Sequence, residues 1–181
     1  MKIVAVVGSL RKESFNRKIA ELIKDRYGSE ATIQLAFLNN FPMYNPDTEA
    51  NVPQNVAAVR EAIREADGVI FVTPEYNFSI PGSLKNAIEW FSRGGMKILT
   101  GKPVMIVGAS TGIHGTLRAQ LHLQNILDAP GLRANTSFNT MMQIGTVQHR
   151  VDENGYLSDD DTLAYLDNTM NTFFQKIKGN A

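Results

Sequence analysis

Short apolar runs rich in β-branched residues alternate with helical stretches along the chain, and this alternation limits the folds open to it. Three runs, at residues 2–7, 68–73 and 103–109, are apolar at almost every position, as expected of strands in a parallel sheet covered on both sides. A fourth run, at residues 32–38, places its apolar residues on one face, and a fifth strand is expected near residues 132–138. Between the runs, apolar residues recur at helical spacing.

The predicted order is therefore a strand followed by a helix, repeated five times. Such alternation implies a parallel sheet with helices on both faces, and five strands fit the strand order 2-1-3-4-5. Ser158 is placed to cap the last helix. The length of 181 residues suits one domain with a substantial core. We therefore expect a single doubly wound α/β domain over residues 1–181.

Composition excludes several classes of function. The chain has no cysteine, which rules out disulfides, thiolate metal sites, iron–sulfur clusters and thiol catalysis within it. Its 18 basic and 18 acidic side chains cancel, so nothing favours a nucleic-acid partner. The sequence enters a strand directly after Met1 and shows no long apolar stretch typical of a signal peptide or a membrane helix. We expect a cytoplasmic protein that binds neither nucleic acid nor membrane.

Three loops are placed to form a ligand site. In an open sheet of this order, ligands bind beyond the carboxyl ends of the strands, where the strand order reverses. The loops that leave the first, third and fourth strands reach that edge, and they span residues 8–16, 74–82 and 110–115. These loops therefore carry the functional prediction.

The first loop is typical of an anion site. It offers the side chains of Ser9, Ser14 and Asn16, the cation Arg11 and the N-terminus of the next helix, whose free N–H groups suit a phosphate. The pattern is neither a Walker loop, since no Gly-Lys-Ser/Thr follows Gly8, nor a GxGxxG dinucleotide loop. The alternative is a polar strand-to-helix turn in which Ser14 caps the helix.

The other two loops could border a flat ligand. In PEYNFSIPG the prolines stiffen the chain, and Tyr76 and Phe78 could lie against such a ligand; the alternative is a rigid surface turn. In GASTGIHG the glycines allow close approach to backbone N–H groups and Ser110 and Thr111 add hydroxyls; the alternative is a plain strand-to-helix turn. His114 could donate to a ligand, although a lone loop histidine is more often structural or solvated.

Taken together, the three loops resemble those of the NADPH-dependent FMN reductase family, which includes quinone, azo-dye and chromate reductases of the flavodoxin-like fold. The resemblance runs from Lys2 to about Phe174. Its most specific motif is G-S-x-R-x-x-S-x-N at residues 8–16. The second is P-E-Y-N followed by P-G-x-L-K-N, at residues 74–86, and the third is a Ser/Thr-Gly loop followed by R-A-Q, at residues 110–120.

The resemblance implies bound FMN, with NADPH or NADH as the electron donor and the flavodoxin-like fold. The FMN phosphate would lie in the first loop and the flavin ring between the second and third. No nucleophile–base pair occurs in these loops and none is required, because the flavin carries the electrons. The implied cofactor-binding residues are Ser9, Arg11, Ser14, Phe15, Asn16, Pro74, Glu75, Tyr76, Asn77, Ser110, Thr111, Gly112 and His114.

One departure from the family pattern lies in the third loop. Many relatives have two glycines before x-R-A-Q, whereas this chain has Gly115 followed by Thr116. The side chain of Thr116 therefore bears on how closely this loop can approach the flavin ring.

The expected activity passes hydride from NAD(P)H through FMN to quinones, azo compounds, free flavin or chromate-like acceptors, with ping-pong kinetics. The alternative is a flavodoxin-type electron carrier that binds FMN without oxidising NAD(P)H. Such carriers tend to be strongly acidic and have no arginine in the phosphate loop, whereas this chain is neutral and has Arg11. Family members are usually dimers or tetramers, so we expect self-association. Phe41, Met43 and Tyr44 could be exposed for this purpose or could cover the chain's own core.

Overall fold

The computed structural model describes residues 1–95 and 97–179, within which five strands and five α-helices alternate as predicted. The strands, β1 to β5 in chain order, are Lys2–Val7, Thr32–Phe37, Gly68–Val72, Val104–Ala109 and Met141–Ile144. The helices, α1 to α5, are Phe15–Arg26, Gln54–Glu65, Gly82–Phe91, Leu117–Leu127 and Asp160–Gly179. All strand pairs are parallel and the order is β2-β1-β3-β4-β5. The predicted fold class and strand order are confirmed.

Two hydrophobic cores lie on opposite faces of the sheet, because each strand sends alternate side chains to each face. In β1, Val4 and Val6 face the core covered by α2, α3 and α4, whereas Ile3, Ala5 and Val7 face the core covered by α1 and α5. Both β3 and β4 are buried along their whole length. This double cover explains why these strands are nearly continuous apolar runs in the sequence.

The fifth strand lies further along the chain than predicted, at residues 141–144 instead of 132–138. The earlier segment makes one parallel bridge, between Pro103 and Asn135. A short 3₁₀ turn then follows, in which the Thr140 hydroxyl donates to the carbonyl of the first residue of β4 over 2.8 Å. Leu132 and Ala134 of the earlier segment pack into the core instead, whereas Phe138 is 70% exposed, so the prediction placed β5 too early in the chain.

The start of α5 also differs by one residue from the prediction. The helix begins at Asp160, and the carboxylate of Asp159 accepts the backbone N–H of Thr162 over 3.0 Å. Asp159 therefore caps this helix, and the prediction of Ser158 as the cap is wrong. Within the two described ranges, no helix is long and apolar enough to cross a membrane.

Candidate active site

The three predicted loops meet at the carboxyl edge of the sheet because β1, β3 and β4 are neighbours in it. They enclose an open cleft of about 180 Å³. Its lining residues are Ser9, Arg11, Ser14, Phe15, Asn16, Pro74, Glu75, Tyr76, Ala109, Ser110 and Thr111. All of these except Ala109 were predicted from the sequence. Ala109 is the last residue of β4 and has no polar side chain that would indicate a binding site. The topology therefore brings most of the predicted residues to one place.

Ser9 and Ser14 supply hydroxyl donors to the cleft. The Ser14 oxygen accepts the backbone N–H of Arg17 over 3.4 Å and so caps α1. The Ser9 oxygen accepts the backbone N–H of Arg11 over 3.4 Å. Both serines are buried, with 4% and 5% of their surface exposed. Neither hydroxyl donates its own proton to any residue in the described ranges, so both remain free to donate to an anion.

The remaining features of the first loop add positive potential. Arg11 is exposed, and its guanidinium makes no ion pair within the described part of the chain. The first turn of α1 contains no acidic residue, and its leading N–H groups have no partner inside the helix. Two free hydroxyls, a helix N-terminus and a free cation fit a dianionic phosphate.

Asn16 fastens the first loop to the sheet. Its side-chain amide donates to the carbonyl of Ala109 over 2.9 Å, and its side-chain oxygen accepts the N–H of Ala109 over 2.9 Å. Asn16 is 3% exposed, so both bonds are shielded from water. The side chain therefore holds the start of α1 against the end of β4, and sequence reasoning did not reveal this function.

Glu75 fastens the second loop to α4. Its carboxylate accepts the backbone N–H groups of Arg118 and Ala119 over 3.0 and 3.1 Å, and the guanidinium of Arg118 over 3.2 Å. It thereby caps the N-terminus of α4 from a different part of the chain, where a negative charge is favourable. Further along the same loop, Ser79 Oγ lies 2.7 Å from Nδ1 of His122 on α4. The second loop is thus attached to α4 at two points.

Three predicted residues lie outside the lining of the cleft. Asn77 is exposed at the tip of the second loop. The carbonyl of Gly112 accepts the N–H groups of Gly115 and Thr146 over 3.2 and 3.1 Å. The imidazole of His114 is exposed and makes no hydrogen bond, ion pair or ring contact in the described ranges. Cofactor contacts at Asn77, Gly112 and His114 stay predictions.

Thr116 points into the protein and away from the cleft. It is fully buried, and its hydroxyl oxygen accepts from the side-chain amide of Gln120 over 2.9 Å. A Cβ atom on Gly108 of β4 would lie 2.2 Å from that oxygen, so Thr116 packs directly on the strand. The departure from the Gly-Gly pattern therefore places no side chain in the cleft.

The segment around Phe41 belongs mainly to the chain's own core. Phe41 and Tyr44 pack against the rings of Phe91 and Trp90, with ring centroids 6.3 and 5.2 Å apart. Met43 differs, since 79% of its surface is exposed. Of the three apolar candidates for self-association in this segment, only Met43 is free to meet a partner.

Comparison with known proteins agrees with the geometry. A family model described as NADPH-dependent FMN reductase matches residues 1–145. The quinone reductase of Escherichia coli K12 is 40% identical over 182 residues, covering 98% of this chain and 96% of the relative. An NAD(P)H-dependent FMN reductase of Pseudomonas aeruginosa is 39% identical over 161 residues, covering 88% of this chain and 86% of the relative.

A solved structure has the same fold as this chain. FerB, a flavoenzyme NAD(P)H:(acceptor) oxidoreductase from Paracoccus denitrificans, superposes with a TM-score of 0.84 at 30% identity, covering 99% of this chain and 98% of that one. These matches confirm the predicted family, the flavodoxin-like fold, and FMN with NAD(P)H as cofactors, and they favour an enzyme over an electron carrier. The chain belongs to the NADPH-dependent FMN reductase family and is an oxidoreductase.

Proposed function

We propose that the protein binds FMN in the cleft between the three loops and reduces quinones with electrons from NAD(P)H. Azo compounds, free flavin and chromate-like oxyanions are further proposed acceptors. The observation that carries this proposal is the convergence of a phosphate-type donor set with residues of the second and third loops in one cleft. The similarity to a named quinone reductase over almost the whole chain supports the choice of quinones.

The proposed phosphate site consists of the hydroxyls of Ser9 and Ser14, the Arg11 guanidinium and the first N–H groups of α1. Asn16 acts as a positioning residue, since its side chain holds this loop against Ala109. The proposed walls of the ring site are Pro74–Tyr76 from the second loop and Ser110 and Thr111 from the third.

When bound, FMN would supply the hydride and electron chemistry, and the chain itself supplies binding, orientation and electrostatics. Backbone N–H groups near Glu75, Asn77 and Gly112 would stabilise negative charge on the ring. The second loop is held in advance by the bonds of Glu75 to α4, and the third loop begins next to Ala109, which Asn16 binds.

Donor and acceptor would use the same open side of the cleft in turn, so the proposed kinetics are ping-pong. Initial rates measured at several fixed quinone concentrations should then give parallel double-reciprocal lines against NADPH. Intersecting lines would mean that both substrates bind together, which contradicts a shared site.

The direct test mixes the protein, FMN and NADPH with 1,4-benzoquinone and follows the absorbance of NADPH. We expect oxidation that depends on all four components, with NADH tested in parallel. A protein that takes up FMN, seen as flavin absorbance after gel filtration, but does not consume either donor would be an electron carrier. A protein that takes up no FMN would contradict the proposed site. The expected cytoplasmic location stays a prediction.

A further inference from the structure

The tip of the second loop holds a bulky side chain in a backbone conformation that favours glycine. Tyr76 and Ser79 exchange backbone hydrogen bonds of 2.9 and 3.0 Å, so the two residues between them form a tight hairpin turn. Asn77 and Phe78 have φ angles of 50° and 63°. A two-residue turn of this kind needs both angles positive, which is why Asn-Gly is its usual pair. Asparagine tolerates this region, whereas a phenylalanine there is strained.

The side chain of Phe78 makes few packing contacts that could offset the backbone strain. The side chain is 70% exposed, and in the described part of the chain its ring contact is with the guanidinium of Arg118, 4.3 Å from the ring centroid. An exposed ring held at a positive φ lowers the stability of the turn without filling the core. Strained residues of this type cluster at functional sites.

Arg118 fixes the orientation of the Phe78 ring. Its guanidinium is itself bound by the Glu75 carboxylate over 3.2 Å, and its backbone N–H by the same carboxylate over 3.0 Å. The cation therefore lies against one face of the ring, and the 70% exposure of Phe78 is available on its other side. Glu75 and Tyr76 both line the cleft, and Phe78, which is not among the lining residues, follows Tyr76 by two positions at the tip of the same loop.

We propose that Phe78 is a specificity-determining residue whose open face stacks with planar aromatic electron acceptors, quinones above all, at the mouth of the cleft. This inference rests on the function proposed above. A quinone offers a flat, electron-poor ring, and offset stacking of such a ring on Phe78 adds binding without any hydrogen-bond requirement. A compact non-aromatic acceptor such as ferricyanide gains nothing from the same surface.

The test compares Phe78→Gly and Phe78→Tyr with the native protein, each loaded with FMN. Glycine removes the ring and also relieves the positive φ, so this variant should fold at least as stably as the native chain. We expect Phe78→Gly to raise KM for 1,4-naphthoquinone about five- to tenfold, with KM for ferricyanide and kcat unchanged. Phe78→Tyr keeps the ring and should have the same KM values as the native protein.

Quinones can react covalently with cysteine thiols, and the chain has no cysteine, so this side reaction does not disturb the measurement.

A binding measurement without turnover separates this inference from the proposed function. Calorimetric titration of 1,4-naphthoquinone into the oxidised, FMN-loaded proteins needs no NADPH and should show the same weakening in Phe78→Gly. Unchanged KM and Kd for the quinone would overturn the inference, as would an equal loss with ferricyanide. A change in oligomeric mass with unchanged quinone binding would also overturn it and assign the ring to a subunit contact.

Absence of NADPH oxidation by the native protein would contradict the proposed function. The titration needs no NADPH, so it would still test the inference about Phe78.

Discussion

At the scale of single residues, the polar side chains around the cleft divide into two groups. Ser9, Ser14 and Arg11 have donors that no described residue uses, so they are free to bind an anion. Asn16 and Glu75 instead direct their polar atoms at backbone groups of β4 and α4. Substitutions in the first group should affect ligand affinity, and substitutions in the second should affect the stability of the fold as well.

Arg11→Ala should weaken FMN binding about tenfold, since the proposed charge-assisted hydrogen bond to the FMN phosphate would be lost. Turnover at saturating FMN should be retained because Arg11 belongs to the proposed phosphate site and not to the proposed ring site. Fluorescence titration with FMN gives the affinity. Lys12→Ala is the matched control, since Lys12 is the next exposed cation and does not line the cleft. Unchanged affinity together with lost turnover would refute this assignment.

Asn16→Ala should lower the free energy of unfolding by about 2–3 kcal/mol, because it leaves the buried N–H and carbonyl of Ala109 without partners. Urea unfolding followed by circular dichroism measures the change. Asn55→Ala is a suitable control, because Asn55 also donates to a backbone carbonyl, that of Asn40, but at the surface. Equal losses of unfolding free energy in the two variants would mean that the buried bonds to Ala109 stabilise the fold no more than a bond at the surface.

At the scale of elements, α1 and α5 are joined by a charged cluster on the face of the sheet that they cover. The Asp167 carboxylate accepts from Arg26 Nε and Nη2 over 2.8 and 2.7 Å and from the Tyr27 hydroxyl over 2.6 Å. The hydrogen bonds from Arg26 are the main cause that lowers the pKa of Asp167 from 3.8 to about 2, and the Tyr27 hydroxyl adds to it. Arg26 and Asp167 are 141 residues apart in the sequence, so their ion pair forms only when both helices are packed on the sheet.

This cluster predicts a pH dependence of stability. A carboxylate with a lowered pKa in the folded state stabilises the fold above the unfolded pKa, about 4, and loses that contribution as pH falls toward about 2. Asp167→Asn should therefore lower the free energy of unfolding near neutral pH. We expect about 1 kcal/mol, since more than a third of each charged side chain is exposed.

The difference between Asp167→Asn and the native chain should be constant above about pH 4 and shrink as pH falls to about 2. Denaturant unfolding at a series of pH values tests this. Asp25→Asn is the control, because Asp25 on α1 is exposed and has no partner among the described residues. A difference that stayed the same at low pH would show that the charge of Asp167 is not its cause.

At the scale of the whole molecule, several large apolar side chains remain in contact with solvent beside the cleft and on α4. Leu117 and Leu121 are 39% and 42% exposed and lie four residues apart on the helix, with Ile113, 80% exposed, just before it. Exposed apolar groups of this kind are typical of surfaces that meet another protein. They support the prediction of self-association better than Phe41 and Tyr44, which pack on the chain's own core.

Light scattering should therefore give a mass of at least twice the 20.0 kDa of one chain. Leu121→Glu should reduce this mass, because it places a charge in the exposed apolar stripe. Asn171→Glu, a comparable change on the exposed side of α5, should leave the mass unchanged. A mass of 20.0 kDa for the native protein would show that it is a monomer.

Much of the fold and of the candidate site was predictable because the signals are local. The apolar runs of β1, β3 and β4 are contiguous in sequence, and burial on both faces leaves a simple pattern. The phosphate-type loop spans residues 8–16, so its hydroxyls and cation can be recognised together. The strand order then places this loop beside the other two, and ten of the thirteen predicted residues line the same cleft.

The sequence by itself determined the alternation of strands and helices and the positions of the three loops, because these depend on neighbouring residues. Only the tertiary structure decided which segment pairs with β4 as the fifth strand, because segments 132–138 and 141–144 both contain apolar residues. It also decided that Asn16 binds Ala109, 93 residues away, and that Glu75 caps α4, 43 residues away. Hydrogen bonds over such separations depend on how elements are placed around the sheet, which no local pattern encodes.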